Sequence, residues 1–299
     1  MKELSGKVAF ITGGTTGLGL GITRAFLECN MNVVMSYRRP ETLRTAMQSL
    51  TEEQRRRVFA LELDVTDRRA MAHAASAAER AFEKIHVLCN NAGVFMFCPL
   101  DEATEDDWDW MINVNLNGVF NGLRYIVPRI KAHGEGGHVI NTASMSAFIP
   151  GPSLGIYAAS KCAIRGLTEC LRYDLAASNI GVSLLCPGLV KSAIHESTKR
   201  RPPHGATGAI ADDAFHEQLR NAFALGMDPI DVGREVVAGL RENRRYIFSH
   251  PEFTDEVRTI FDEVIAAMPR TCVESPRRPV EEARRQRTLA ARQRADALL

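Results

Sequence analysis

In the stretch "FITGGTTGLGLGI", residues 10–22, four glycines, Gly13, Gly14, Gly17 and Gly19, lie between an apolar run and an amphipathic one. The apolar run predicts a strand, whereas Leu18, Ile22 and Phe26 recur at helical spacing. The glycines therefore form the turn that joins a strand to a helix. Such a turn aims backbone N–H groups at a helix N-terminus, where a phosphate can bind, and glycine permits the close approach. We expect a phosphate-binding turn; a glycine-rich connection without a ligand is the alternative.

Short apolar runs recur along most of the chain, at residues 8–12, 32–36, 58–65, 86–92, 138–144, 182–188 and 246–249. They predict strands, and the longer stretches between them have the apolar spacing of helices. Strands that are apolar along nearly their whole length are typical of a parallel sheet covered on both faces. The sequence predicts one α/β domain over residues 1–269, a doubly wound, Rossmann-type parallel sheet with helices on both faces.

The composition excludes several classes of protein. Thirty-seven Lys and Arg against 36 Asp and Glu give a net charge of +1, which attracts neither nucleic acid nor an anionic membrane. Every apolar stretch falls short of the roughly 18 residues that a membrane span needs. Seven scattered cysteines suit thiols in a reducing compartment, and the eight histidines lack HExxH spacing. We expect a cytoplasmic protein without a metal, a membrane or a nucleic-acid partner.

Six further motifs follow the glycine turn in order. They are Asp64 after a strand, "NNAG" at 90–93, Asn115 in "NVNLNG", Ser144 in "NTAS", "YAASK" at 157–161 and "PG" at 187–188. Together with the TGxxxGxG spacing of the turn, they resemble the short-chain dehydrogenase/reductase family, in its short single-domain branch, over about residues 5–250. The resemblance implies a nicotinamide cofactor and hydride transfer to or from a carbonyl or alcohol carbon.

Four residues are candidates for catalysis. Tyr157 and Lys161 are four apart on a helical stretch, so both side chains project from one face. A lysine ammonium and the positive nicotinamide favour the phenolate, which makes the tyrosine a general acid/base. Ser144 can donate a hydrogen bond to the substrate oxygen. By resemblance, Asn115 completes a tetrad through a water-linked relay to Lys161. Taken singly, Ser144 is also a turn former, Asn115 a helix surface residue, and Tyr157 and Lys161 a solvated pair.

The resemblance also implies a set of cofactor contacts. Asp64 and Val65 would flank the adenine, "NAG" and Lys161 would lie against ribose, and "PG" would turn the chain toward the nicotinamide. The full set is Gly13, Thr15, Thr16, Gly17, Leu18, Gly19, Tyr37, Arg38, Arg39, Asp64, Val65, Asn91, Ala92, Gly93, Tyr157, Lys161, Pro187, Gly188, Val190 and Ser192.

The end of the second strand, "VVMSYRR", bears on the choice of cofactor. NAD-using members of the family usually hold the ribose with an acidic residue, and here Tyr37 stands at that place. Arg38 and Arg39 follow, and an arginine at that step resembles the NADP-using pattern, in which a guanidinium binds the 2′-phosphate. Thr16 stands where many NADP users carry a second basic residue. The sequence favours NADP(H) over NAD(H); a solvated charge pair is the alternative.

The substrate is the least determined feature. Phe95 and Phe97 follow "NNAG", and Met145 and Phe148 follow Ser144, so all four are candidates to line the substrate pocket. They suggest a bulky apolar or aromatic alcohol or ketone, although aromatic residues at these places can equally belong to the core.

Two segments depart from the strand–helix rhythm. Residues 191–227 begin just after "PGLV" and combine prolines, glycines and charges with a helical stretch, so we expect a mobile lid over the substrate. A surface insertion without a catalytic role is the alternative. Residues 270–299 form an Arg-rich extension of basic character.

Three further expectations concern assembly and rival functions. Family members commonly pair the helices that correspond to residues 105–132 and 157–177, so we expect a homodimer or homotetramer. One rival function is a non-catalytic dinucleotide sensor, which could dispense with Tyr157 and Lys161. Another is a lyase or dehalogenase without a cofactor, which would not need the glycine turn. An NAD-dependent alcohol dehydrogenase of the same family is the nearest alternative.

Overall fold

The structure, a computed structural model, describes residues 1–201, 206–269 and 276–298. Parallel strands form one sheet in the order β3-β2-β1-β4-β5-β6-β7. The strands are β1 Val8–Ile11, β2 Asn32–Tyr37, β3 Val58–Glu62, β4 Val87–Asn90, β5 Gly137–Thr142, β6 Ile180–Cys186 and β7 Tyr246–Phe248. This arrangement confirms the predicted doubly wound parallel sheet.

Helices connect the strands and cover the sheet. They are α1 Gly17–Glu28, α2 Pro40–Gln48, α3 Glu52–Arg56, α4 Arg68–Phe82, α5 Glu105–Ile112, α6 Gly118–Ala132, α7 Gly155–Ala176, α8 Asp213–Ala224, α9 Pro229–Arg241, α10 Thr254–Ala266 and α11 Arg278–Asp296. A π-helical turn, Asn113–Asn117, joins α5 to α6. Within the described residues, no helix combines the length and the apolar composition that a membrane span requires.

Each strand contributes to two separate cores, because successive side chains of a strand point to opposite faces. Phe10 of β1 packs into the core beneath α4, α6 and α7, whereas its neighbour Ile11 packs into the core beneath α1 and α9. Both residues are fully buried. Burial on both faces explains why the strands are apolar along their length rather than alternating.

The predicted strands begin within two residues of the observed ones, and all except the second run past the observed last residue. The runs expected to reach residues 65, 92 and 188 end as strands at Glu62, Asn90 and Cys186. The last residues of these runs do not pair with a neighbouring strand. They form the loops at the carboxyl edge of the sheet. Polar and glycine residues collect in those loops, which is where parallel sheets of this kind bind ligands.

The end of the C-terminal extension packs on α7. Ala295 near the end of α11 is fully buried. Arg172 of α7, itself buried, donates hydrogen bonds to the carbonyl oxygens of Val182 at 2.6 Å and Asn243 at 2.9 Å and pairs with Asp296 at 3.0 Å. The predicted boundary at residue 270 lies outside the described residues.

Candidate functional site

A cavity of about 810 Å³ opens at the carboxyl edge of the sheet. It lies across the ends of β1 and β4, the neighbouring strands at which the chain order reverses, a preferred place for ligands in open α/β sheets. Every residue that the sequence assigns to the cofactor lines this cavity. Its size is within the range of ligand-binding cavities.

The glycine turn at one end of the cavity has no room for side chains. Gly13 and Gly17 have φ angles of +64° and +47°, a region that favours glycine. A Cβ atom on Gly19 would lie 2.1 Å from the carbonyl oxygen of Gly13. The first turn of α1 therefore approaches the end of β1 more closely than any residue with a side chain would allow.

Two of the predicted motifs hold each other in place. The hydroxyl of Thr12 accepts hydrogen bonds from the N–H groups of Asn91 at 2.9 Å and Ala92 at 3.0 Å. In return, the Asn91 side-chain amide donates to the carbonyl oxygen of Thr12 at 3.1 Å. These bonds join the glycine turn after β1 to the "NNAG" loop after β4.

The N-terminus of α1 offers donors to an anion. Within the described chain, the Thr16 side chain makes no hydrogen bond that caps α1, and the first-turn residues Gly17, Leu18 and Gly19 line the cavity. The first N–H groups of a helix have no partner inside the helix, and the helix dipole adds positive potential there. The turn fits a phosphate, and the cavity has room for a dinucleotide.

The catalytic candidates converge in the middle of the cavity. Tyr157 and Lys161 lie on α7 and are 7% and 5% exposed. The Ser144 and Tyr157 side chains both line the cavity, and the Lys161 ammonium donates to the carbonyl oxygen of Thr142 at 3.1 Å. Ser144 also accepts a hydrogen bond from the N–H of Ser146 at 3.1 Å, which makes it both a turn former and a cavity residue.

Asn115 lies behind the cavity wall in the π-helical turn. Its side-chain oxygen accepts from the N–H of Val94 at 2.8 Å, and its amide donates to the Val94 carbonyl at 3.0 Å. A Cβ atom on Gly93 would lie 3.2 Å from the Asn115 oxygen and 3.7 Å from the Lys161 nitrogen, so both groups flank this glycine. The water-linked relay between them stays a prediction.

Burial controls the protonation of the central pair. Burial raises the pKa of Tyr157 to about 12, and the neighbouring Ser144 hydroxyl acts to lower it. Burial also lowers the pKa of Lys161 to about 8. The lysine nitrogen lies 5.5 Å from the centre of the tyrosine ring. The charge of Lys161 by itself does not offset this burial, so Tyr157 is protonated at neutral pH. The phenolate that we expected also needs the positive charge of the nicotinamide.

The wall beside Tyr157 is aromatic. The Phe95 ring meets the Tyr157 ring edge to face, with 4.8 Å between centres, and the Phe97 ring at 5.0 Å. Met145 also lines the cavity. Further apolar lining comes from four other segments: Ile149, Leu154, Leu219, Phe223 and Phe253. Sequence reasoning did not single out Ile149, Leu154 or Phe253.

Phe148 is not brought to the cavity. Its ring lies under the guanidinium of Arg165, 4.2 Å from the ring centre, and 5.5 Å from the ring of Phe248. The 3₁₀ turn Met145–Ala147 directs Met145 into the cavity and Phe148 toward α7 and β7. Phe148 therefore contributes to packing, which was the alternative for the aromatic candidates.

The other end of the cavity carries three arginines. Arg38 and Arg39 line it, as predicted, and Arg200 joins them from the insertion. The Arg38 guanidinium donates to the Arg200 carbonyl oxygen at 3.3 Å, and the Arg200 guanidinium pairs with Glu196 at 2.5 Å. Sequence reasoning missed Arg200 because it is 162 residues from Arg38. The run "KRR" at 199–201 was the available signal.

The chain matches the family model described as short chain dehydrogenase over residues 7–202. It belongs to this family. It is 34% identical over 267 residues to a C alpha-dehydrogenase from Sphingobium sp., covering 89% of this chain and 87% of the relative. It is 33% identical to an NADP-dependent (R)-specific alcohol dehydrogenase from Lentilactobacillus kefiri, covering 71% and 88%. A short-chain dehydrogenase/reductase from Burkholderia phymatum, solved in complex with NAD, superposes with a TM-score of 0.83 at 32% identity, covering 92% and 100%.

In this short-chain dehydrogenase, the insertion covers part of the cavity. Ser192, Ile194 and Ser197 from its start and Leu219 and Phe223 from α8 contribute to the lining. Residues 202–205, in the middle of the predicted irregular stretch, lie outside the described residues. The closing motion of this segment stays a prediction.

One buried carboxylate anchors the insertion. Asp107 of α5 is fully buried. It accepts hydrogen bonds from the Thr207 hydroxyl at 2.7 Å and the Gly208 N–H at 2.9 Å, and it pairs with Arg201. Burial alone would raise the pKa of Asp107, but these hydrogen bonds outweigh it and lower the pKa to about 2.

A second polar cluster, outside the cavity, could be taken for a metal site. Among the described residues, His86, His133 and Glu135 have ligand atoms close enough to share an ion. However, the Nδ1 atom of His86 accepts a hydrogen bond from the N–H of Val8 at 3.1 Å, and the Nε2 atom of His133 is hydrogen-bonded to the carbonyl oxygen of Ile85 at 2.9 Å. Glu135 pairs with Lys7 and Lys84. The lone pairs that a metal needs are engaged.

The Asp107→Asn substitution is expected to destabilise the protein by about 3–5 kcal/mol, because it leaves the buried Arg201 without its counter-charge. The stabilisation from Asp107 ionisation is present above its ordinary pKa of 3.8 and is lost as the pH falls through about 2. The loss of stability between these pH values should therefore be smaller in the variant. Denaturant unfolding at several pH values measures both effects.

Asp109→Asn, at an exposed position of the same helix, is the matched control. Hydrogen exchange should also quicken in residues 206–227 of the Asp107 variant while β1 keeps its protection. An Asp107 variant as stable as the control, with unchanged exchange, would contradict the anchoring role.

Proposed function

We propose that this protein is an NADP(H)-dependent oxidoreductase that transfers a hydride between the nicotinamide and a carbonyl or secondary alcohol of a neutral, aromatic substrate. One observation carries the proposal. Ser144 and Tyr157 line the same cavity as the aromatic wall and the phosphate-binding turn. Substrate and dinucleotide can therefore meet at a proton donor.

The chain's own residues manage the proton. A nicotinamide dinucleotide, when bound, supplies or accepts the hydride. The Tyr157 hydroxyl gives its proton to the carbonyl oxygen during reduction and takes it back during alcohol oxidation. The Ser144 hydroxyl donates a hydrogen bond to the same oxygen and stabilises the charge that develops on it. Lys161, with a pKa lowered to about 8, can lose or regain a proton near neutral pH and so can return one to Tyr157.

The arginines support NADP(H). Arg38, Arg39 and Arg200 are the positive groups at the ribose end, and a guanidinium binds a phosphate through charge-assisted hydrogen bonds. Glu196 neutralises Arg200 in part. However, Tyr37 stands where NAD users of the family usually carry an acidic residue, so no carboxylate at that position repels a 2′-phosphate. The relatives include both an NADP-dependent enzyme and a protein in complex with NAD, so the preference rests on these side chains.

The lining supports a neutral aromatic substrate. Apart from Ser144 and the buried Lys161, the wall around Tyr157 is formed largely by apolar or aromatic side chains, including Phe95, Met145, Leu154 and Phe223. An aromatic ring would contact the faces and edges of these rings, whereas this part of the wall offers a charged group little compensation for its lost hydration. The relatives named a C alpha-dehydrogenase and an (R)-specific alcohol dehydrogenase support the reaction class, whereas the aromatic substrate rests on the lining alone.

Two broader proposals complete the assignment. Residues 191–227 act as the lid that closes over the substrate, which their position over the cavity supports. The cytoplasm suits the protein, because the described cysteines are free thiols.

The Tyr157→Phe variant is expected to lose at least ~10²-fold in turnover of a panel of aryl ketones and alcohols, because it lacks the proton donor. NADPH binding, followed by nucleotide fluorescence, should stay within twofold of the wild type. Tyr125→Phe, outside the cavity, is the matched control. Near-normal turnover in the Tyr157 variant would contradict the mechanism. Tight NADPH binding by the wild type without turnover of any panel member would favour a dinucleotide sensor.

The Arg200→Ala variant is expected to raise the KM for NADPH by about 10- to 100-fold, the effect of losing a charge-assisted hydrogen bond, while the KM for NADH changes little. The Arg38→Asp variant should reverse the preference from NADP toward NAD, because it replaces a phosphate partner with a carboxylate. Lys199→Ala, at an exposed neighbouring position, is the control. Equal effects on both nucleotides, or a wild type that prefers NADH, would contradict the assignment.

A further inference from the structure

The helix α10 has an apolar stripe that continues beyond the body of the protein. Its apolar residues recur every three or four positions, which places them on one face of the helix. The first ones pack: Val257 contacts the core, and the Phe261 ring lies 6.4 Å from that of Phe148. The residues that follow do not. Val264 and Ile265, at the end of α10, are 50% and 63% exposed, and Met268, two residues past the end of the helix, is 60% exposed.

We expect such a stripe to pack against another protein surface. Exposed apolar residues scattered singly are ordinary, but a contiguous patch marks an interaction surface. The exposed stripe consists of Val264, Ile265 and Met268 and lies in direct continuation of the packed part of α10. We call this set the α10 stripe.

The charges of the C-terminal helices indicate what covers the α10 stripe. Helix α10 has four acidic residues and one arginine, a net charge of −3, and α11 has six arginines and three acidic residues, a net charge of +3. Among the described residues, no ion pair joins the two helices; their ion pairs lie inside each helix or, for Asp296, also on Arg172. Each helix therefore carries a charge that the other helix of the same chain leaves uncompensated.

The placement of α11 makes it an arm. Its C-terminal end is fixed on the body through Ala295, which is buried, and through the ion pair of Asp296 with Arg172. Every residue from 276 to 290 is exposed. The exposed part contains Arg284, Arg285 and Arg287, a basic surface directed away from its own core.

We propose that two copies of this chain associate through α10 and α11. The α10 stripe of one copy packs against the same stripe of the other across a twofold axis, since a twofold axis joins a surface to itself. The basic arm of each copy lies along the acidic flank of its partner's α10, where Asp262 and Glu263 are exposed. The proposed contacts are made by α10 and α11, whereas the expected oligomer of the family rests on the helices 105–132 and 157–177; α11 touches the second of these through Arg172.

The Ile265→Asp and Val264→Asp variants test the stripe, because both side chains are exposed and their replacement leaves the core unchanged. In sedimentation velocity, each variant should show half the mass of the wild type at the same concentration, with an unchanged circular dichroism spectrum. Leu225→Asp, at a position 85% exposed outside this surface, should keep the wild-type mass.

Charge reversal tests the arm. Asp262→Lys with Glu263→Lys, or Arg284→Glu with Arg285→Glu, should each weaken the association by placing like charges against each other. The chain with all four substitutions should regain the wild-type mass, because the now basic flank of α10 again faces an oppositely charged, now acidic arm of the partner copy.

Three results would overturn the proposal. A monomeric wild type at all concentrations would show that the stripe has another occupant or none. An assembly that Ile265→Asp leaves intact, but that Phe120→Asp on α6 halves, would place the interface on the other helices. Failure of the fourfold variant to recover its mass would rule out pairing between α10 and the partner's α11.

Discussion

The close approach of two backbone segments at the glycine turn is the constraint on which the rest of the cavity depends. The first turn of α1 meets the end of β1 at a place where a single Cβ atom would lie 2.1 Å from a carbonyl oxygen. Thr12 and Asn91 then fix the end of β1 to the end of β4. This arrangement holds the free N–H groups of α1 beside the loops after β4, β5 and β6. Of the residues proposed for catalysis, Ser144 lies in the loop after β5, and Tyr157 and Lys161 lie on α7.

Burial of Tyr157 favours its role as a proton donor and disfavours its role as a base. An apolar wall suits an aromatic substrate and keeps water from a proton-transfer step. The same wall disfavours the phenolate, so Tyr157 by itself is a proton donor and a poor base. A base for alcohol oxidation therefore needs positive charge brought by a ligand, in addition to Lys161. In the proposed function, the oxidised nicotinamide brings that charge, and the dinucleotide site and the catalytic site depend on each other electrostatically.

The sequence predicts the features that are local along the chain. The strands follow from continuous apolar runs because both sheet faces are buried, and the motif residues follow because each motif is a short run of neighbouring residues, at a strand end or within a helical segment. Arg200, Phe253 and Asp107 could not be predicted, since they meet the cavity or the insertion through contacts between distant segments. Phe148 shows a different limit. It is three residues after Met145, and only the geometry of the intervening 3₁₀ turn decides that one side chain enters the cavity and the other does not.

The ionisation of Tyr157 tests the account most directly. Subtracting the ultraviolet pH titration of Tyr157→Phe from that of the wild type isolates the phenolate signal of this residue. In the free protein we expect no ionisation below the ordinary tyrosine pKa of 10.0, because burial raises the pKa to about 12. With NADP⁺ bound, the pKa should fall below 10.0, whereas NADPH, whose nicotinamide is uncharged, should lower it less. A pKa that NADP⁺ leaves unchanged would contradict the coupling of the two sites and the role of Tyr157 as the proton carrier.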